Sequence, residues 1–187
     1  MKHVRRLLVA LAAAVVAVSV MSPPASAAER TFTDRTGDVR GGFDIKSVRV
    51  VNTGKWIKVR THHENLRKGP MAPGGGVSVF IDTARGRHGP EFRFGGPVGF
   101  DGDFAIVKVR HWKADGDALN CNLRFGVNYK RDVVHYAVTR RCLDRAFDHR
   151  VGKIRVAVKA AQNTASGDPR IDWAPKRRTL YPAVARG

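Results

Sequence analysis

Between Cys121 and Cys142 the chain places an apolar side chain at every second position, and this constrains its fold more than any other feature. If it reverses between Arg131 and Asp132, Cys121 faces Cys142, Phe125 faces Val138, Val127 faces Tyr136 and Tyr129 faces Val134. The intervening positions pair Asn122 with Arg141, Arg124 with Thr139 and Asn128 with His135. A pleated ribbon sends successive side chains to opposite faces, so this alternation predicts an antiparallel hairpin with one dry and one wet face. Only Leu123 opposite Arg140 breaks the pattern. Two cysteines in register at the open end predict a disulfide, which removes a thiol nucleophile from consideration.

The same spacing of two recurs in short runs bounded by Gly, Pro, Asn and Asp. Strands are expected near 44–52, 55–63, 76–82, 103–112, 119–129, 133–141 and 153–160, with weaker ones near 30–33, 90–94 and 178–184. The best helical stretch is Leu143 to Phe147, a turn or two. These elements predict an all-β fold, an antiparallel two-sheet sandwich of the jelly-roll or immunoglobulin-like kind. The segment around Trp173, framed by Pro169 and Pro175, is expected to pack a sandwich edge.

Lys2, Arg5 and Arg6 precede an apolar run from Leu7 to Val18, followed by Ala25-Ser26-Ala27. That order predicts a signal peptide over 1–27 and a single secreted, extracellular domain over 28–187. The apolar run is shorter than the roughly 20 residues of a spanning helix, so no transmembrane segment is expected. The Gly-rich loop 67–76 is a loop within that domain. A monomer is expected.

Lys and Arg total 34 against 16 Asp and Glu, a formal net charge of +18. A surface this cationic favours anionic polymers as partners and says nothing of fold. In the run VRVVNTGKWIKVR (48–60), a reversal at Thr53-Gly54 pairs Val48 with Val59 and Val50 with Ile57, and sets Arg49 opposite Lys58 and Ser47 opposite Arg60. Like charges face to face are unfavourable in a sheet, so a partner is expected to offset them. Lys108 and Arg110 beside Trp112 repeat the theme. Arg49, Trp56, Lys58, Arg60, Lys108, Arg110 and Trp112 are therefore the candidate ligand-binding residues, for an anionic polymer or a sugar chain.

Asp34, Asp38, Asp44 and Asp82 are the candidate metal ligands. Calcium takes six to eight oxygens at roughly 2.4 Å, and Gly-rich loops with aspartates supply them. Asp101-Gly102-Asp103 and Asp115-Gly116-Asp117 read instead as turns. The run DRTGDVRGGFDIKSVRV (34–50), with VFIDT (79–83) and PEFRF (90–94), resembles the opening of secreted bacterial β-sandwich domains related to DOMON-like and family 9 carbohydrate-binding modules. The matching positions are Asp34, Gly37, Asp38, Asp44 and Ile45, then Asp82 and Glu91. The resemblance implies a sandwich that often holds a structural calcium and presents aromatic side chains to sugars.

Catalytic signals are weak. No serine lies in a Gly-x-Ser-x-Gly elbow, and a strand would send His62 and His63 to opposite faces. PGGGVSVF (73–80) enters a strand and lacks a phosphate-loop ending. The expected function is a non-catalytic binding domain for an anionic or carbohydrate polymer at the cell envelope. The alternative is a small secreted hydrolase, for which Glu91 with Asp101 or Asp103 is the carboxylate pair of interest.

Overall fold

The computed structural model describes residues 28–39, 43–68, 74–83, 88–147 and 150–187. The expected signal peptide, His149 and residues 69–73 of the 67–76 loop lie outside them. The chain forms β1 (Ala28–Thr33), β2 (Ile45–Asn52), β3 (Trp56–His63), β4 (Gly75–Asp82), β5 (Phe92–Val98), β6 (Ala105–Arg110), β7 (Lys113–Ala118), β8 (Leu123–Asn128), β9 (Val133–Thr139), α1 (Arg140–Phe147), β10 (Lys153–Gln162), β11 (Arg170–Ala174) and β12 (Val184–Ala185). One antiparallel sheet runs β1-β2-β3-β9-β8. The other runs β11-β10-β4-β5-β6-β7, with β12 also on β10. The all-β, two-sheet expectation holds.

Period-two patterning decides which face of each strand goes inward. Val48, Val50, Ile57 and Val59 of the first sheet meet Val77, Val79, Val156 and Val158 of the second in one buried cluster. Each such side chain contributes roughly 2 kcal/mol. Gly96 lets the layers close: a Cβ there would lie 2.6 Å from the Phe125 ring of the opposite sheet. Tyr136 ties the layers with a polar bond, its hydroxyl donating to the Val77 carbonyl at 2.7 Å. Tyr136→Phe is expected to lower stability by about 1 kcal/mol, the net worth of one such bond, measurable by urea denaturation.

Both hairpins are paired two residues away from the expected register. Arg49 lies opposite Arg60 and Val50 opposite Val59, with Gly54 and Lys55 forming the loop. Leu123 faces Val138 and Phe125 faces Tyr136. Leu123 thereby gains an apolar partner, and Arg140 leaves the sheet to start α1. The guanidinium of Arg140 is buried and donates to the Thr53 carbonyl at 2.9 Å, the Val151 carbonyl and Asn52 Oδ1. Cys121 and Cys142 form the disulfide, with Cα atoms 5.5 Å apart, joining the approach to β8 to α1.

Two edge strands, β7 and β11, occupy segments in which the sequence pattern shows no strand. Asp115-Gly116-Asp117 lies within β7, an exposed edge strand, and the preceding turn consists of His111 and Trp112. Trp173 lies in β11. Towards the C-terminus, only Val184 of the expected 178–184 strand is extended and paired.

Candidate functional site

The outer face of the first sheet carries a groove of about 590 Å³. Strand register builds it. One row across the sheet reads Thr31, Arg49, Arg60, His135 and Gly126, and the next reads Glu29, Val51, Lys58, Ala137 and Arg124. Short side chains at Val51, Ala137 and Gly126 keep the floor low while Arg and Lys rise beside it. The His135 ring occupies the space a Cβ at Gly126 would need, 2.5 Å from that position. Trp56, at the start of β3, closes one end, with the Arg124 guanidinium 4.8 Å from its ring centroid.

Electrostatics in the groove are lopsided. Arg49 facing Arg60 is the like-charge juxtaposition expected to be unfavourable. Glu29 relieves part of it, gripping Arg49 with two hydrogen bonds of 2.8 Å. That bond holds the Glu29 carboxyl below its ordinary range. Lys58, Arg60 and Arg124 line the groove with no other carboxylate among the described lining residues. Burial, and secondarily Arg60, lowers the pKa of His135 and favours its neutral form.

Four of the seven candidate binding residues, Arg49, Trp56, Lys58 and Arg60, thus converge, joined by Arg124, Glu29 and His135. The other three lie on the second sheet. Lys108 and Arg110 line a cleft with His88, Glu91 and His111, and Arg110 pairs with exposed Asp115 at 3.0 Å. Trp112 lines a separate cleft. Arg124 was discoverable from sequence, because the alternation already placed it outward beside β9.

The aspartates of the opening run gather where the two sheets meet at one edge. Carboxylate oxygens of Asp38, Asp44 and Asp172 lie within 4.8 Å of one another. Asp44, fully buried, accepts a bond from Gly37 N at 2.8 Å through Oδ2. Asp172, from β11 of the other sheet, reaches across to accept from Ile45 N at 2.6 Å. Asp34 stands close enough to feel them: burial first and then Asp172 push its carboxyl up to about 7. Burial likewise raises Asp172 to about 6, with Asp38 and Asp44 adding to it.

Charge alone does not explain this gathering. Asp44 Oδ1 and Asp34 Oδ2 are buried without a hydrogen-bond partner among the described residues, as is the Tyr181 hydroxyl. Burial, then Asp34 and Asp172, raise the pKa of that hydroxyl. The donor set is all oxygen, as a hard divalent cation requires. Oxygens around one centre at roughly 2.4 Å can be at most about 4.8 Å apart, so the three carboxylates fit one ion.

Asp82 stands elsewhere, its Oδ2 holding Arg155 at 2.7 Å. Asp172 instead joins Asp38 and Asp44, and its sequence signal was an acidic residue flanked by Ile171 and Trp173 in a short extended run. Glu91 is buried, and desolvation raises its pKa. Asp101 and Asp103 lie beyond the other end of β5, and a strand of that length spans roughly 20 Å. That exceeds the 5 to 10 Å or so that separate paired glycosidase carboxylates. Among the described residues, no helix is long and apolar enough to cross a membrane. Compared with known proteins, the chain matches no family model and no curated sequence.

Proposed function

We propose that this protein is a non-catalytic binding domain that works outside the cytosol and holds an anionic glycan in the groove on the outer face of its first sheet. The observation that carries this is the convergence of Arg49, Lys58, Arg60 and Arg124 around Trp56, with Glu29 as the one opposing charge. Glu29 already pairs with Arg49, so a sugar chain bearing sulfate, phosphate or carboxylate groups would supply the anion for Arg60 across the strand pair. Arg124 lies over the Trp56 ring, so the groove offers charge rather than the bare ring on which a nucleobase stacks.

Binding driven by neutralising three or four charges weakens steeply with salt. Affinity for a heparin oligosaccharide is expected to fall on the order of 50-fold between about 50 and 200 mM salt, the dependence known for charge-neutralising nucleic-acid binding. Lys58→Gln/Arg60→Gln should lower affinity about 10-fold and flatten the salt slope by about two. Isothermal titration with heparin, with a phosphate-bearing wall polymer and with single-stranded oligothymidylate separates the sources. Tighter binding of the oligothymidylate, or affinity indifferent to salt, contradicts the proposal.

A second reading concerns the carboxylate cluster. The buried, unpartnered Asp44 Oδ1 favours a structural calcium held by Asp38, Asp44 and Asp172, with the Asp34 carboxyl near them. Its chemistry is electrostatic: it would supply the positive charge that these carboxylates otherwise lack and clamp β2 of one sheet to β11 of the other.

A further inference from the structure

The outer face of the second sheet holds a cleft of about 460 Å³, on the side of the sandwich away from the first groove. Its floor is aromatic. Trp173 stacks on Phe80 with ring centroids 5.4 Å apart, and Trp112 meets Trp173 edge-on at 5.8 Å. Register again sets the rows: Trp173, Lys159 and Ser78 lie side by side on β11, β10 and β4, and Phe80 faces Arg93 on β5. Arg177 and Arg178 complete the rim. Four cations therefore surround the cleft, and no carboxylate lines it among the described residues.

The backbone is bent to build this cleft. Trp112 reaches it from the two-residue turn between β6 and β7, where His111 has φ 49° and Trp112 has φ 68°. Arg178 on the rim also has a positive φ, 57°. Two-residue hairpin turns of this kind favour Asn-Gly, because bulky residues resist the left-handed region. Strain of this type persists where surrounding structure enforces it and concentrates at binding sites. Here it places an indole beside Phe80, 5.2 Å between centroids, where a glycine would leave the floor open.

We infer that this cleft is a second anion-binding site, and that the domain bridges two anionic glycan chains, one on each outer face. The ligand class rests on the proposed function of the first groove. The two sites are set apart by the thickness of the sandwich, so one chain on each face meets no steric conflict.

The test is capture of a second chain. Protein is loaded on a heparin-coated surface, and free heparin oligosaccharide is then passed over it at low salt. Wild type should retain the second chain. Lys159→Gln/Arg178→Gln, its thermal midpoint unchanged, should still load through the first groove but lose second-chain capture at least fivefold. Loading without second-chain capture by wild type, or undiminished capture by this variant, overturns the inference and leaves the first groove's function standing. Conversely, full loading by Lys58→Gln/Arg60→Gln, abolished by Lys159→Gln/Arg178→Gln, contradicts the first groove and supports the second. Failure of wild type to load at all rejects both.

Discussion

Calcium added to chelator-treated protein is expected to raise the thermal midpoint by about 5–10 °C. The magnitude follows from mass action: calcium at 100 times its dissociation constant stabilises the folded chain by about 2.7 kcal/mol, and a domain of this size gains about 2–4 °C per kcal/mol. The physical source is specific. Asp44 and Asp172 are buried, bonded by backbone amides on one side and facing like charges on the other.

The metal-free protein should reveal this through pH. Asp34 titrates near 7 and Asp172 near 6 when folded, both above their ordinary value. Between about pH 4 and pH 7 the folded state therefore binds more protons at these groups than the unfolded state, and their contribution to stability rises as pH falls. With calcium bound the carboxylates are held ionised, protons compete with the ion, and the trend at these groups reverses. Asp44→Asn retains an acceptor for Gly37 and removes one charge. It should raise the midpoint of the chelated protein and abolish the calcium response. Equal midpoints with and without calcium in wild type would reject the cation site.

Removing the disulfide is expected to cost about 3 kcal/mol. The cross-link joins residues separated by 21 positions, and closing a loop of that size withdraws about this much chain entropy from the unfolded state. Cys142 is buried on α1 beside Leu143, which is fully buried in the core cluster. The bridge thus holds the helix that carries the chain from β9 of one sheet to β10 of the other. Cys121→Ser/Cys142→Ser should unfold about 6–12 °C lower than the parent. A midpoint unchanged within 1 °C or so would show that the bridge only decorates a structure already fixed by packing.

The sandwich was legible because alternation is a local property, and each run of Val, Ile and Phe at spacing two reports its own buried face. Register was not legible for the same reason. A slip of two residues leaves every side chain on the same face, so the pattern around Val50 and Val59 cannot distinguish Arg49 opposite Lys58 from Arg49 opposite Arg60. Turn geometry makes the choice, through the Gly54-Lys55 loop and the residues between Asn128 and Val133.

Edge strand β7 carries no sequence signal because an exposed strand paired on one side needs no apolar stripe, and Asp-Gly within it reads as a turn. At the site, Arg49, Trp56, Lys58 and Arg60 were visible because two adjacent strands carry them. Alternation already turns Arg124 outward, but the pairing of β8 with β9 and of β9 with β3 is what sets Arg124 and His135 beside Lys58 and Arg60. Asp172 lies 128 positions from Asp44 in the chain, and no local pattern links them.

The central claim is that the first sheet's outer face holds the anionic chain. Amide and indole resonances followed by NMR, during titration with a heparin oligosaccharide at low salt, test it residue by residue. Shifts should reach Trp56 Nε1 and the amides of Arg49, Lys58, Arg60 and Arg124. A saturating titration that leaves Trp56 and those amides unmoved would place the ligand elsewhere.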